Sequence, residues 1–166
     1  MKRRAVSLLA AVLLMATLNG CKTPRPEPSE APLDGHISAF SMKSGHAWAG
    51  FSIKTVYTEG DTVYAKLTSE SGILFDDMQE EAEDWEKTVA LTDEESAAFD
   101  ELILNTLRLP NWEERYDDLT FTEQDSWSIT YTWDGKEYST GGYAVFPDGL
   151  SQIRDFFASL DWPEKP

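Results

Sequence analysis

Apolar and polar residues alternate strictly over residues 126–133. The apolar positions, each two residues from the next, are Trp127, Ile129, Tyr131 and Trp133. Ser128 and Thr130 lie between them. A period of two is typical of a strand with one buried face, so we expect the apolar set to be buried and the polar set to be exposed.

A hairpin is predicted to follow this strand. Asp134-Gly135 is a common pair in two-residue turns, and residues 136–140 predict the returning strand. Gly141 and Gly142, which come next, predict a bulge or the end of that strand.

The first third of the chain predicts a second group of strands. Residues 37–42 alternate loosely, and residues 49–57 and 62–68 flank Glu59-Gly60-Asp61, which has the composition of a turn. We therefore expect a first strand and then a hairpin, with a short strand over residues 88–91. In the first strand of this hairpin, Phe51, Ile53 and Tyr57 stand at positions of the same parity.

Two stretches, residues 93–108 and 150–160, have the spacing of helices. Thr92 with Glu95 three residues later predicts a capping box at the first helix, and Pro110 ends it. The apolar face of the first helix is predicted to be Phe99, Leu102, Ile103 and Thr106. That of the second is predicted to be Leu150, Ile153, Phe156, Phe157 and Leu160.

Hairpins combined with two separate helices predict the α+β class. The expected architecture is an antiparallel, hairpin-rich sheet with the two helices packed on one face. Residues 36–162 are predicted to form a single globular domain, and residues 163–166 a frayed tail that leaves Trp162 exposed.

The first 20 residues have the pattern of a secretory signal. Lys2, Arg3 and Arg4 give a basic start, and residues 5–18 are apolar except for Ser7 and Thr17. That run is shorter than the roughly 20 residues a membrane-spanning helix needs. A basic start, a short apolar core and a small-residue site are typical of a signal peptide.

The end of this segment, Leu18-Asn19-Gly20-Cys21, resembles the lipobox of bacterial prolipoproteins. The resemblance implies cleavage before Cys21, a thioether-linked diacylglycerol on its sulfur and acylation of its new amino group. Two or more acyl chains hold a protein stably on a bilayer. The expected location is the extracytoplasmic face of the cell membrane, with the lipid bilayer as a partner through acylated Cys21. An ordinary secreted protein with an incidental cysteine is the alternative.

Residues 21–35 form a predicted spacer. Prolines at 24, 26, 28 and 32 exclude regular helix and sheet, and a polyproline-like chain from residue 22 to 35 reaches about 43 Å. From residue 21 onward the chain carries 11 basic and 30 acidic side chains, a net charge of −19. Such a charge argues against nucleic acid as a partner, and the spacer would hold an acidic body away from an acidic membrane.

The sequence offers no catalytic set. His36 and His46 are the histidines of the chain, and neither an HExxH motif nor G-x-S-x-G is present. We therefore predict no catalytic residues, no metal site and no cofactor. The acidic run over residues 76–86 lacks the glycine and the spacing of an EF-hand loop, and we interpret it as a solvated face.

A second resemblance covers residues 127–160. Its matching features are Tyr131, Asp134-Gly135-Lys136, Gly142-Tyr143 and Phe146-Pro147-Asp148-Gly149. With these features the stretch is similar to small uncharacterised lipoproteins of Gram-positive gut-type bacteria, and this resemblance implies no activity.

The leading hypothesis is a non-enzymatic binding or accessory module of the cell envelope, whose partner is an envelope protein or a glycan. Trp112, Tyr116 and Trp162 are the possible binding surface, because aromatic side chains anchor partners and stack on sugars. For Trp112 and Tyr116 a place in the core is an equally open interpretation. The alternatives are an envelope hydrolase with paired carboxylates and an inhibitor that inserts an acidic loop.

Replacing Cys21 with Ala is expected to block lipid attachment and leave an unprocessed precursor. Metabolic labelling with a palmitate analogue, read beside the precursor's mobility on a gel, measures both effects. Labelling of the Cys21→Ala protein equal to that of the wild type would show that the anchor is elsewhere.

Overall fold

The computed structural model describes residues 31–46, 50–70, 85–120 and 125–163. These residues form a mostly-sheet fold with two α-helices. The strands are β1 (Ile37–His46), β2 (Gly50–Glu59), β3 (Thr62–Glu70), β4 (Trp85–Ala90), β5 (Arg115–Asp117), β6 (Ser126–Trp133) and β7 (Lys136–Tyr143). The helices are α1 (Asp93–Glu101) and α2 (Leu150–Ser159). Neither described helix has the length and apolar character needed to cross a membrane.

All seven described strands belong to one sheet, in the order β4-β3-β2-β1-β6-β7-β5. Strands β1 to β4 form a meander, and the β6–β7 hairpin adds to the free side of β1, so that β1 lies between β2 and β6. Each of these pairs is antiparallel, and the short β5 pairs with β7 in parallel. The hairpins and the antiparallel ladder confirm that part of the prediction, whereas β5 corresponds to none of the predicted strands.

The alternation in β6 separates the two faces of the sheet. Trp127, Ile129 and Tyr131 are buried and Ser128 and Thr130 are exposed, as predicted, whereas Trp133 at the end of the strand is only half-buried. The register places Tyr131 beside Phe40 of β1, and Phe40 beside Val56 of β2, which are buried too. The opposite face is rich in hydroxyl groups.

Strand β2 places most of its apolar residues on the face opposite the buried one. Phe51, Ile53 and Tyr57 share one parity, as predicted, but they lie on the hydroxyl-rich face and are half-buried. The buried face carries Val56 and Lys54 instead. Burial, and after it the positive charge of Arg154, lowers the pKa of the Lys54 ammonium group, which donates a hydrogen bond to the Ser52 hydroxyl (2.9 Å).

Helix α1 begins with the predicted capping box. The Glu95 amide donates to the Thr92 hydroxyl (3.2 Å), and the Thr92 amide donates to the Glu95 carboxylate (2.8 Å). After Glu101 the chain continues as a π-helix, Leu102–Thr106, and not as the predicted α-helix to residue 108. The wider turn shifts the buried stripe, so Thr106 is exposed while Leu104 and Leu107 are buried.

An aromatic cluster connects the sheet to both helices. The ring of Phe99 on α1 lies 5.2 Å from Phe40 on β1, and 5.1 and 6.3 Å from Phe156 and Phe157 on α2. The predicted stripe of α2 is confirmed at Leu150, Ile153, Phe157 and Leu160, with Phe156 half-buried. Aromatic pairs at these distances contribute about 0.5–1.5 kcal/mol beyond area burial.

The chain that leads into β1 is hydrogen-bonded to helix α1 and to the π-helix that follows it. The Leu33 amide donates to the Asn105 side-chain carbonyl (2.8 Å), and the Ile37 amide donates to the Asp100 carboxylate (2.9 Å). The other oxygen of Asp100 contacts the His36 ring at 2.6 Å. His36 therefore has a structural partner at the domain's start.

Several predictions concern residues outside those described. They are the signal peptide over residues 1–20, the lipidated Cys21, the spacer as far as residue 30 and the acidic run up to residue 84. The last residues of the tail, 164–166, also lie outside.

Replacing Ile129 with Ala is expected to lower the free energy of unfolding by about 2–5 kcal/mol, because Ile129 is fully buried. The control is Thr130→Ala, the next residue on the same strand but exposed. Denaturant unfolding of both variants measures the difference. Equal stabilities would mean that the two faces of β6 are assigned the wrong way round.

Candidate functional site

The three aromatic residues predicted as a possible binding surface do not form one surface. Trp112 is buried, its indole N–H donates to the Leu107 carbonyl (2.9 Å), and its ring meets that of Tyr116 edge-on at 6.2 Å. Trp162 is half-buried, stacks on Phe157 and donates to its carbonyl (2.7 Å), so it does not extend from a frayed tail. A binding role for the three residues stays a prediction, and Trp112 has little surface to offer a ligand.

A trough of about 600 Å³ lies on the hydroxyl-rich face of the sheet. The residues that line it are Lys43, Phe51, Arg115, Leu119, Ser126, Trp127, Ser128, Gly142 and Tyr143. This volume is within the range of small-molecule sites. We call this feature the trough and treat it as the candidate site.

The strand register explains why the trough crosses the sheet. Lys43 of β1 pairs with Ser128 of β6, Ser128 pairs with Gly141 of β7, and Gly141 pairs with Arg115 of β5. These four residues therefore form one row, with a cation at each end and two of the smallest residue types between them. Three strand spacings put the ends about 14 Å apart at the backbone.

At the β1 end, the ammonium group of Lys43 lies 2.5 Å from a Glu70 carboxylate oxygen and 4.4 Å from the centre of the Phe51 ring. Both members of the ion pair are partly exposed, so the pair contributes little to folding stability. The ammonium group is therefore fixed at the wall of the trough, above an aromatic ring.

At the β5 end, the guanidinium group of Arg115 binds Asp117 through two nitrogens, at 2.8 and 3.0 Å. The Arg115 side chain is 70% exposed, so its remaining N–H groups face solvent. Each cation of the trough is thus paired with a carboxylate, and the two pairs add no net charge.

Close packing requires the glycine at position 142. A Cβ atom on Gly142 would lie 2.2 Å from the Tyr116 carbonyl oxygen and 2.8 Å from the Trp127 indole nitrogen. The absence of a side chain lets β5 approach β7 and leaves room for Trp127 beneath. Gly141 and Gly142 are the two residues before the last residue of β7, Tyr143, and the pairing with β6 shows no register shift there, so they mark the end of the strand to within one residue and not a bulge.

An aromatic cluster supports the trough from the buried side. The Trp127 ring lies 6.0 Å from Trp112 and 5.8 Å from Tyr116, and its indole N–H donates to the Val145 carbonyl (2.7 Å). Each of the three rings contacts the other two. The cluster gives the trough a rigid support.

The described residues contain neither a metal-binding group of side chains nor a buried carboxylate. They contain no group of three or more His, Cys, Asp and Glu side chains placed to hold a metal ion. Their buried polar side chains are Lys54 and Thr140, so no described carboxylate is buried. The trough offers donors, acceptors and ring faces, which are the means of recognition.

Models of protein families, curated proteins and solved structures give no match to this chain.

Sequence reasoning did not identify the trough. Lys43, Ser128 and Arg115 are far apart in the chain, and nothing in the sequence reveals that they share a row. The adjacent glycines were the one available signal, because a glycine pair inside a strand also marks close approach of another backbone.

Replacing Gly142 with Ala is expected to lower the unfolding free energy by about 1–3 kcal/mol, as overpacking of a well-packed site does. The control is Gly60→Asn, at a turn glycine with φ of +61° and open space around it, where Asn is tolerated. Denaturant unfolding followed by tryptophan fluorescence measures both. A Gly142→Ala protein as stable as the control would show that β5 and Trp127 do not press on this position.

Proposed function

We propose that the protein is a lipid-anchored surface lipoprotein of the cell envelope and acts as a non-enzymatic binding or accessory module. Its ligand lies in the trough, and Cys21 holds the module at the extracytoplasmic face of the membrane. The observation that carries the proposal is the row of Lys43, Ser128, Gly141 and Arg115, which places a paired cation at each end of the trough and the exposed Ser128 between them.

We also infer that both helices cover the sheet face that holds Phe40 and Ile129, as the α+β architecture requires. The contact between Phe40 and Phe99 supports this for α1, and the contacts of Phe156 and Phe157 with Phe99 support it for α2. With the helices on that face, neither described helix covers the face that holds the trough.

The paired-carboxylate hydrolase gains no support from the described residues. A general acid of that kind needs a raised pKa, which burial commonly supplies, and no described carboxylate is buried. An inhibitor with a projecting acidic loop would depend on the run over residues 76–86, most of which lies outside the described residues.

The test uses the mature lipoprotein in liposomes of neutral lipid and labelled envelope fragments that have been extracted with detergent. The fragments come from a bacterium that produces this chain, and extraction removes lipid as a possible binder. Wild-type proteoliposomes should retain the fragments. Ser128→Trp, which fills the floor of the trough, should reduce retention about tenfold or more, the equivalent of at least roughly 1.4 kcal/mol.

Thr130→Trp is the matched control, because Thr130 is also exposed on β6, faces the same way and is not part of the trough. Circular dichroism and thermal unfolding establish that both variants fold. Equal retention by the wild type and both variants would show that the trough is not the binding site. Absence of retention by the wild type would contradict a binding function at the envelope.

A further inference from the structure

We propose that the ligand of the trough is a neutral glycan, an uncharged linear segment of several sugar units lying across strands β1, β6, β7 and β5. This inference rests on the proposed function and specifies the chemistry of its ligand. It follows from three features of the trough: the paired backbone of its floor, its balanced charges and its aromatic wall.

Strands β1, β6 and β7, which form most of the floor, have no free edge, whereas β5, at the end of the trough, is the edge strand of the described sheet and has no partner strand on its outer side. Strand β1 is paired with β2 and β6, β6 with β1 and β7, and β7 with β6 and β5. An extended peptide that joins a sheet needs an unpaired strand edge. A ligand that lies on the floor formed by β1, β6 and β7 is therefore recognised by side chains.

The ion pairs at the two ends suit hydroxyl groups. An ammonium or guanidinium group only donates hydrogen bonds, and a carboxylate only accepts them. Lys43 with Glu70, and Arg115 with Asp117, each place a donor beside an acceptor. A sugar hydroxyl can accept from the cation and donate to the carboxylate at once, and the Ser126 and Ser128 hydroxyls add the same chemistry between the ends.

The charges favour a neutral ligand over an anionic one. Both cations of the trough are already paired, and the net charge of −19 from residue 21 onward repels anions at a distance. A polyanion such as a polyuronate would be repelled by this negative charge, and the trough has no unpaired cation to offset the repulsion. An uncharged polyol makes its hydrogen bonds without this repulsion.

The Phe51 ring supplies the apolar contact that sugars need. It lies at the β1 end, half-buried, with the Lys43 ammonium group on one side. Tyr143 also lines the trough, on β7. Rings of this kind can stack on the apolar faces of sugar units, and about 14 Å between the end residues leaves room for several units.

The experiment uses the same proteoliposomes and divides the labelled envelope fragments into untreated and protease-digested portions. Both portions should be retained equally, because a glycan survives the protease. Carbohydrate released from the digested fragments by mild acid is separated by anion exchange into neutral and anionic fractions. The neutral fraction should compete with the fragments for the trough, and the anionic fraction should not.

Phe51→Ala should weaken retention about tenfold, and Phe51→Leu, which keeps most of the volume without a ring, should weaken it to a similar degree. The control is Tyr57→Ala, because Tyr57 is a half-buried aromatic residue on the same strand and face, six positions and about 20 Å away. It should bind like the wild type. Thermal unfolding shows that the variants are folded.

The outcomes separate the two proposals. If retention depends on Ser128 but is lost after protease digestion, the ligand is a protein. That result would overturn the proposal of a glycan ligand and would leave the proposed binding function in place. Competition by the anionic fraction alone would equally overturn the neutral glycan. Phe51→Leu that binds as well as the wild type would overturn the stacking role. If the wild type retains no fragments, both proposals fail.

Discussion

The register between β1 and β6 is the constraint on which both the core and the candidate site depend. In this register Met42 lies beside Ile129, and both are fully buried. The next pair along, Lys43 and Ser128, lies on the other face and forms part of the trough. A slip of one residue would exchange the two faces, so burial of the core fixes the position of the site. Hydrophobic burial thus sets the geometry of the trough, whose ion pair between Lys43 and Glu70 itself contributes little to stability.

The β5 end of the trough depends for its position on a small residue, Gly142, and not on burial alone. Strand β5 has three residues and pairs only with β7 in the described sheet, so it has few ladder hydrogen bonds of its own. It is kept in place by close contact at Gly142 and by the Tyr116 ring, which lies against Trp112 and Trp127. Arg115 and Asp117 flank Tyr116 and therefore point to the hydroxyl-rich face, because alternate residues of a strand point to opposite sides.

Patterns that are local in the chain were predictable from the sequence. The alternation of β6, its two-residue turn, the capping box of α1 and the stripe of α2 all depend on residues within a few positions of each other. Features set by distant contacts were not. The π-helix at Leu102–Thr106 and the parallel pairing of β5 leave no periodic signal. The sequence also left the place of Trp112 open, because its contact with the Trp127 ring joins residues that are distant in the chain. The trough was missed for the same reason, since its row joins four strands from different parts of the chain.

Strand β2 shows where the sequence pattern and the fold disagree, and the disagreement occurs beside the site. Its lysine, Lys54, is on the buried face, where burial lowers its pKa, while Phe51 and Ile53 are on the hydroxyl-rich face. Lys43 on the neighbouring strand has the reverse placement, exposed and paired with Glu70 over the Phe51 ring. A strand arranged for stability alone would place its apolar residues inward, and real proteins depart from that rule mainly at functional sites. The outward Phe51 is such a departure, and its position in the wall of the trough agrees with the stacking role proposed for it.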